Sequence, residues 1–360
     1  MTAFEFIEFI KRCGVRDFTG VPCSIFKEVI DRLERHESYL IATSEGEAMG
    51  IAAGLAVAGR IPAVLMQNDG FGNAVNPLSS LTKLYELPVL LIISWRGEPG
   101  IKDAPQHVWS GRTLMDLMKV FEIETLLLEP ELEPQKEAIA ALIRNIKGRN
   151  AVGALIVRAG IFEEEDIPQP QHPDRLSRRE AIAVVMEGLG DEIPVFSSTG
   201  KPSRELYTVK DRPNNFYVVG SMGCTSAIAF GYCRTTKRTT AVIDGDGGVL
   251  MKMGNLATIG FYGPEKFLHI CLDNETYEST GGQTTAASAI DLSEAARACR
   301  YPNVARVETA EEIRSFIRDF LEHPRLSFLH IKVRNATEKG LGRPRENPVD
   351  LKKRFMGSVS

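Results

Sequence analysis

Residues 242–283 read VIDGDGGVLMKMGNLATIGFYGPEKFLHICLDNETYESTGGQ, and the fold follows from how that stretch divides. An apolar strand over 240–243 runs into Asp244-Gly245-Asp246-Gly247-Gly248, whose glycines allow a sharp turn and a close approach of backbone to a ligand. Leu250, Met253, Leu256 and Ala257 follow at helical spacing, and a second apolar strand over 267–272 ends in Asp273-Asn274. Strand, glycine turn, helix and strand in succession predict a parallel βαβ crossover. In open parallel sheets ligands lie beyond the carboxyl ends of the strands. Asp246 and Asn274 fall at two such ends. Carboxylate and amide oxygens, with backbone carbonyls and phosphate oxygens, form the hard oxygen shell that Mg²⁺ prefers. The backbone amides of Gly245, Gly247 and Gly248, at a helix start, suit the phosphates themselves. An isolated Asp-Gly pair reads as an ordinary turn; the Asn placed 28 residues after Asp246 sets this one apart.

The bulk numbers narrow the class. A chain of 360 residues suggests two domains of ordinary size, and 43% hydrophobic with 25% charged residues is the profile of a globular, water-soluble protein. A net charge of −4 leaves no footprint for nucleic acid. No apolar run reaches the roughly 18 residues of a membrane span, and the N-terminal MTAFEFIEFIKRCG carries acids, unlike a signal peptide. Cys13, Cys23, Cys224, Cys233, Cys271 and Cys299 form no CxxC pair and are expected to be reduced thiols of a cytoplasmic protein.

Strand and helix patterns alternate along the rest of the chain. Helices are expected over 4–12, 25–33 and 48–58, and strands over 15–19, 39–43, 61–66, 87–94 and 151–157. Polar loops recur at the strand ends: Gly20-Val21-Pro22-Cys23-Ser24, Gln67-Asn68-Asp69-Gly70-Phe71-Gly72-Asn73 and Trp95-Arg96-Gly97. Residues 163–173, acidic and proline-rich, read as a linker. Ser177 and Glu180 fit a capping box that opens a helix. Strands follow over 195–198, 216–219, 240–243, 267–272 and 327–333, and Asn347-Pro348-Val349-Asp350 begins a last short helix. The expected fold is α/β: two doubly wound parallel-sheet domains, at 1–165 and 177–360, joined by a linker at 166–176, with no middle domain.

Gly245-Asp246-Gly247 followed by Asn274 resembles the signature of thiamine diphosphate-dependent enzymes. Further motifs resemble the phosphonopyruvate decarboxylase family, with sulfopyruvate decarboxylase a close relative. They are Gly20-Val21-Pro22-Cys23-Ser24, Thr43-Ser44-Glu45-Gly46-Glu47, Met66-Gln67-Asn68, Asn76-Pro77-Leu78 and Trp95 to Gly100. Pro105-Gln106-His107, Ser198-Thr199-Gly200-Lys201, Ser279 to Gln283 and Leu341 to Pro344 complete the set, which spans nearly the whole chain. The resemblance implies a pyrimidine-binding domain, a diphosphate-binding domain, and Mg²⁺ held by Asp246, Asn274 and the carbonyl of Thr276. It implies that Glu45, nine residues before Gly54, hydrogen-bonds the aminopyrimidine ring and so promotes deprotonation of the thiazolium carbon. Glu47 competes for that role, and either acid also fits a helix start. Asn68 joins the cofactor residues, the Gly220 carbonyl would accept from the aminopyrimidine, and Met222 would prop the cofactor in a bent form. Bending is a positioning effect, although Met222 also fits plain core packing.

The implied reaction is decarboxylation of a small anionic 2-oxo acid, 3-phosphonopyruvate or sulfopyruvate. Such a substrate calls for cations and donors, for which Ser24, Arg96, Lys201 and Arg204 are the candidates. Lys201 equally fits a surface lysine or a cofactor contact. His107 is a candidate to protonate the carbon that CO₂ leaves, or else a structural histidine. Cys23 stands where some members of the family carry Asp, and a thiol is a poor proton shuttle unless its pKa shifts; it is expected to line the site. The resemblance also implies a homo-oligomer, a dimer or higher, with active sites formed by residues 1–165 of one copy and 175–360 of another. A non-catalytic partner subunit is a rival reading, against which Glu45, Asp246 and Asn274 all stand intact. A nicotinamide-dependent dehydrogenase needs GxGxxG after the first strand, and residues 18–23 do not supply it.

Overall fold

The computed structural model describes residues 1–36, 39–165, 173–336, 341–342 and 344–359. Residues 166–172 of the expected linker, and Arg343 of the tail motif, lie outside the described residues. The chain divides into two compact units, Met1–Pro168 with Thr280–Gln283, and Gln169–Ser279 with Thr284–Ser360.

The first unit is a six-stranded parallel sheet in the order β2-β1-β3-β4-β6-β5. Its strands are β1 (Asp17–Gly20), β2 (Tyr39–Ile41), β3 (Pro62–Gln67), β4 (Val89–Ser94), β5 (Glu124–Leu128) and β6 (Val152–Val157). Its helices are α1 (Ala3–Arg12), α2 (Lys27–Arg35), α3 (Glu45–Val57), α4 (Phe71–Pro77), α5 (Val108–Val120) and α6 (Lys136–Arg149). Strand side chains alternate between faces, and here both faces are covered. On β4, Leu90 and Ile92 join a core with Phe6, Phe18 and Ile143, whereas Leu91 and Ile93 join one with Met49, Phe71 and Leu114. That is why β4 reads as an unbroken apolar run. The order reverses between β1 and β3, and beyond the carboxyl ends of such a pair open α/β sheets place their ligands.

The second unit repeats the plan in the order β13-β14-β10-β9-β7-β8, again parallel. Its sheet strands are β7 (Val195–Ser197), β8 (Asn215–Tyr217), β9 (Thr240–Gly245), β10 (Phe267–Asp273), β13 (Asn303–Val307) and β14 (Ser327–Lys332); outside that sheet lie the two-residue strands β11 (Thr276–Tyr277) and β12 (Gln283–Thr284), Gln283 counting with the first unit. Its helices are α7 (Arg178–Leu189), α8 (Lys201–Lys210), α9 (Thr225–Thr236), α10 (Asp246–Met251), α11 (Gly254–Tyr262), α12 (Leu292–Ala298), α13 (Ala310–Glu322) and α14 (Pro348–Val359). The Ser177/Glu180 capping box is formed at the start of α7. The order reverses between β7 and β9, so residues after β7 and β9 lie at this sheet's switch point.

Three local differences from expectation have physical causes. The edge strands β5 and β13 escape a sequence reading because each is half exposed and interrupted by charge, Glu124 in one and Arg306 in the other. Residues 67–73, expected as loop, turn at Asn68–Gly70 and enter α4. The helix expected through Leu250 and Met253 is two helices. Lys252 leaves helical geometry at φ −132°, and the break lets Asn255 donate to the Gly223 carbonyl at 2.8 Å. Asp246, Gly247 and Gly248 therefore form the first turn of α10, all buried, rather than a loop before it.

Candidate active site

In the first unit the polar groups gather where β1, β3 and β4 end. Cys23 follows β1 and is fully buried, its sulfur 3.0 Å from Ser94 Oγ at the end of β4 and 3.5 Å from Gln67 Oε1 at the end of β3. Burial pushes the Cys23 thiol up, against the pull of the Ser94 hydrogen bond, so it stays protonated. The Asn68 side chain laces two loops together: Nδ2 donates to the Arg96 carbonyl at 2.8 Å and Oδ1 accepts from the Arg96 amide at 3.0 Å.

Arg96 and His107 each lean on an aspartate that the sequence reading passed over. Arg96 Nε and Nη2 donate to Asp103 at 2.7 and 2.6 Å, a bidentate pair, which leaves Nη1 to face Ser24 Oγ at 3.4 Å. Asp103 also accepts from the amides of Gly97 and Ala104, and the Arg96 guanidinium holds its carboxyl well below the usual carboxylate range. His107 Nδ1 pairs with Asp69 Oδ2, and Ser110 Oγ donates to Asp69 Oδ1. Burial pushes the Asp69 carboxyl up, but the hydrogen bonds from His107, Ser110 and Gln67 outweigh it and hold the acid below its ordinary value. Gly97, at φ +69°, has to be glycine, since a Cβ there would meet the His107 carbonyl oxygen at 2.0 Å.

The two acids of α3 have different environments. Glu47 is exposed, and its carboxylate accepts from the Thr43 amide at 2.8 Å and the Thr43 hydroxyl at 2.6 Å, a helix-start contact. Glu45 is buried, 4% exposed, and accepts from Asn73 Nδ2 at 2.8 Å. A Cβ on Gly70 would lie 2.0 Å from Glu45 Oε1, so residue 70 is glycine because the acid is there.

In the second unit the register pairs Leu272 with Gly245, so Asp246 and Asn274 leave adjacent strands one residue apart in register. Both are buried. Asp246 Oδ2 accepts from Thr285 Oγ1 at 2.6 Å; burial, together with the charge of Asp273, pushes its carboxyl up to about 7. Asn274 Oδ1 accepts from the Thr276 amide at 3.3 Å, and the Thr276 hydroxyl is buried with no hydrogen-bond partner. Met222 is half-buried between Ser221 and Gly223, both at positive φ. A Cβ on Gly247 would lie 2.6 Å from the Tyr277 ring and 3.1 Å from Met222 Cε, so this cradle is closed to any larger residue. The Val219 carbonyl, just before Gly220, accepts from Thr199 Oγ1 at 2.9 Å.

Charge around this cradle is unbalanced. Asp244, Asp246 and Asp273 are all buried. Asp273 is matched by His330 Nε2 at 2.7 Å and Lys332 Nζ at 2.8 Å, whereas Asp244 Oδ2 has no hydrogen-bond partner and faces only His269 Nε2, at 3.7 Å. Buried carboxylates in excess over cations are costly unless a cation joins them. Among the described residues no group of three or more His, Cys, Asp or Glu is arranged for a metal. The donors at Asp246 are instead carboxylate, amide and carbonyl oxygens, which fit Mg²⁺.

Lys201 and Arg204 both lie on α8 but point their charges elsewhere. Lys201 Nζ donates to Glu278 Oε1 at 2.6 Å. Arg204 donates to the carbonyls of Leu341 and Gly342, tying down the tail.

These features define a thiamine pyrophosphate enzyme. Residues 2–118 match the family described as thiamine pyrophosphate enzyme, N-terminal TPP binding domain, and residues 199–331 match thiamine pyrophosphate enzyme, C-terminal TPP binding domain. The chain is 34% identical to phosphonopyruvate decarboxylase of Streptomyces viridochromogenes, covering 99% of this chain and 95% of that one. It is 33% identical to phosphonopyruvate decarboxylase of Streptomyces hygroscopicus, over 99% and 93%, and 30% identical to sulfopyruvate decarboxylase of Methanosarcina acetivorans, over 97% and 95%. The chain belongs to this family of thiamine diphosphate-dependent decarboxylases, which are carboxy-lyases. The two matched domains make up its α/β architecture, and no middle domain is evident. No helix among the described residues is long and apolar enough to cross a membrane.

Proposed function

We propose that this chain decarboxylates 3-phosphonopyruvate to phosphonoacetaldehyde and CO₂, with thiamine diphosphate and Mg²⁺, as a step of phosphonate metabolism. The observation that carries the reading is full-length similarity to two phosphonopyruvate decarboxylases. The cysteines Cys13, Cys23, Cys224, Cys233, Cys271 and Cys299 are free, which supports a reducing, cytoplasmic setting. We also place it as a homo-oligomer of at least two copies; a monomer fully active at high dilution would contradict that.

When bound, thiamine diphosphate supplies the electron sink for the pair left behind by CO₂. The residues here have the following parts. Asp246, Asn274 and the Thr276 carbonyl would hold Mg²⁺, and the amides of Gly245, Gly247 and Gly248 would hold the diphosphate. The Gly220 carbonyl would accept from the aminopyrimidine, and Met222 would pack against the cofactor. Glu45 would hydrogen-bond a pyrimidine nitrogen, and Asn73 holds its carboxylate in place. Asn68 holds the Arg96 loop in place. Arg96 Nη1 and the Ser24 hydroxyl, side by side, take an anionic group of the substrate. Lys201 and Arg204 reach an anion only by giving up Glu278 and the tail carbonyls. His107, anchored through Nδ1 to Asp69, holds the proton that returns to the carbon CO₂ leaves. Cys23, protonated, lines the pocket.

Full-length similarity to a sulfopyruvate decarboxylase favours a second reading, with sulfopyruvate as substrate. Decarboxylation of phosphonopyruvate and sulfopyruvate, side by side with added cofactor and Mg²⁺, separates the two. The expected result is a higher kcat/KM for phosphonopyruvate. A preference for sulfopyruvate selects the second reading, and turnover of neither rejects both.

A further inference from the structure

Glu278, four residues beyond Asn274, sits at the centre of a buried ionic cluster that the proposed reaction does not use. Its side chain is 4% exposed. Oε1 accepts from Lys201 Nζ at 2.6 Å, and Oε2 accepts from Arg178 Nη2 at 2.6 Å. Arg178 is itself clamped to Glu205 by two hydrogen bonds of 2.7 and 2.8 Å. Arg178 opens α7, Lys201 opens α8 and Glu205 lies one turn further along α8, so the cluster fixes Glu278 against two helices. The third contact of Glu278 points the other way: Asn274 Nδ2 donates to Oε2 at 3.3 Å.

That contact decides how the Asn274 amide is turned. A carboxylate accepts only from the nitrogen end of an amide, and a backbone N–H donates only to the oxygen end. Glu278 therefore pins Nδ2, while the Thr276 amide, donating to Oδ1 at 3.3 Å, independently requires the same orientation. An amide oxygen has two lone pairs, and the Thr276 contact uses one. Two buried cations keep Glu278 from rotating away. Stability alone does not explain such a cluster, because an apolar replacement of a buried ion pair is often neutral or better.

We propose that Glu278 is a positioning residue, which holds the Asn274 amide with Oδ1 toward the divalent cation, and that Lys201 and Arg178 serve this carboxylate rather than the substrate. The inference rests on the Mg²⁺ assignment proposed above. It also gives Lys201 a task in place of substrate recognition, since an ammonium 2.6 Å from a buried carboxylate would have to give up that contact to meet an incoming anion.

The test reads binding rather than turnover: the Mg²⁺ dependence of thiamine diphosphate binding to the full chain, followed by calorimetry. Partners of metal ligands typically account for about 10- to 100-fold in metal affinity. Glu278→Gln is expected to raise the half-saturating Mg²⁺ concentration by that factor. Glu278→Gln leaves Arg178 and Lys201 short of one negative charge, so the double variant Lys201→Met with Glu278→Gln, which keeps the net charge, guards against simple misfolding and should show the same rise. Glu278→Asp should recover part of the affinity. Lys201→Met alone should stay close to wild type, because Arg178 still holds Glu278. Asp246→Ala is the reference, expected to lose the Mg²⁺ dependence altogether. If the double variant binds Mg²⁺ like wild type while Asp246→Ala does not, Glu278 does not position Asn274 and the metal assignment stands. If Asp246→Ala also behaves like wild type, the metal assignment itself fails. A loss confined to phosphonopyruvate over pyruvate in Lys201→Met, with Mg²⁺ binding unchanged, would return Lys201 to the substrate.

Discussion

The two units share one plan, six parallel strands with polar residues at their carboxyl ends, yet they handle charge in opposite ways. The first pairs Arg96 with Asp103, seven residues on, and His107 with Asp69, 38 residues back, in contacts that are only partly buried. Each pair leaves one nitrogen outside its own contact, Nη1 of Arg96 beside Ser24 Oγ and Nε2 of His107 beside Gln106 Nε2. The second buries its charges, brings them from distant parts of the chain, and leaves carboxylate in excess around Asp246. Partly buried pairs with a spare nitrogen suit groups that must meet a diffusing substrate and exchange a proton. A buried, over-negative cradle suits a resident divalent cation, which in turn can hold a diphosphate, because attraction is strongest where water is excluded. The largest effects should follow this division.

Asp246→Ala should abolish Mg²⁺-dependent cofactor binding while the protein stays folded; wild-type affinity in that variant would remove Asp246 from the metal site. The matching change in the first unit should act on chemistry instead. Glu45→Gln is expected to bind cofactor but to slow deuterium exchange at the thiazolium carbon, by the 10²- to 10⁴-fold typical of losing a positioned acid or base, about 3–5 kcal/mol of barrier. The control is Glu47→Gln, whose carboxylate only meets Thr43. If Glu47→Gln slows exchange and Glu45→Gln does not, the two acids have been assigned the wrong way round.

What the sequence could and could not reveal follows the same division. The interior strands were legible because burial on both faces demands unbroken apolar runs, as in Leu90 to Ile93. The edge strands β5 and β13 were not, because their solvent-facing residues carry charge. Asp246 and Asn274 were legible because neighbouring strand ends are joined by one βαβ unit of fixed length. The nine-residue spacing to Gly54 favours Glu45 over Glu47, although a helix start favours either acid; burial and the contact with Gly70 distinguish the two. Asp69 and Glu278 were missed for the opposite reason. Their partners stand 38 and 77 residues away, and only the folded chain brings them together. Asp103 was within reach, seven residues from Arg96.

The two cationic candidates sharpen the comparison further. A charge-assisted contact to a desolvated anion is worth about 1.5–3 kcal/mol, so Arg96→Ala should cost roughly 10- to 150-fold in kcat/KM. The cost should fall on phosphonopyruvate and hardly on pyruvate, which lacks the second anionic group. Lys201→Ala should instead leave both substrates close to wild type, because Arg178 still holds Glu278. Kinetics of both variants on both substrates check this, and equal losses for Arg96→Ala would move Arg96 out of substrate recognition.

The smallest effect tests whether the Arg96–Asp103 pair also holds its loop. Asp103 is half-buried, and the Arg96 guanidinium keeps it ionised below the usual carboxylate range. The unfolded chain takes up a proton near the ordinary value of about 3.9. Above that pH both states are ionised and the pair contributes fully; as pH falls toward the lower folded value, the unfolded state binds the proton first and the contribution is lost. A half-exposed pair contributes at most about 1 kcal/mol. Asp103→Asn should therefore lower stability slightly at pH 7, and the gap to wild type should close as pH drops below about 4. Urea unfolding of both proteins at pH 7 and pH 3 measures it. Should the gap persist at pH 3, the loop is held by the amide contacts from Gly97 and Ala104 rather than by charge.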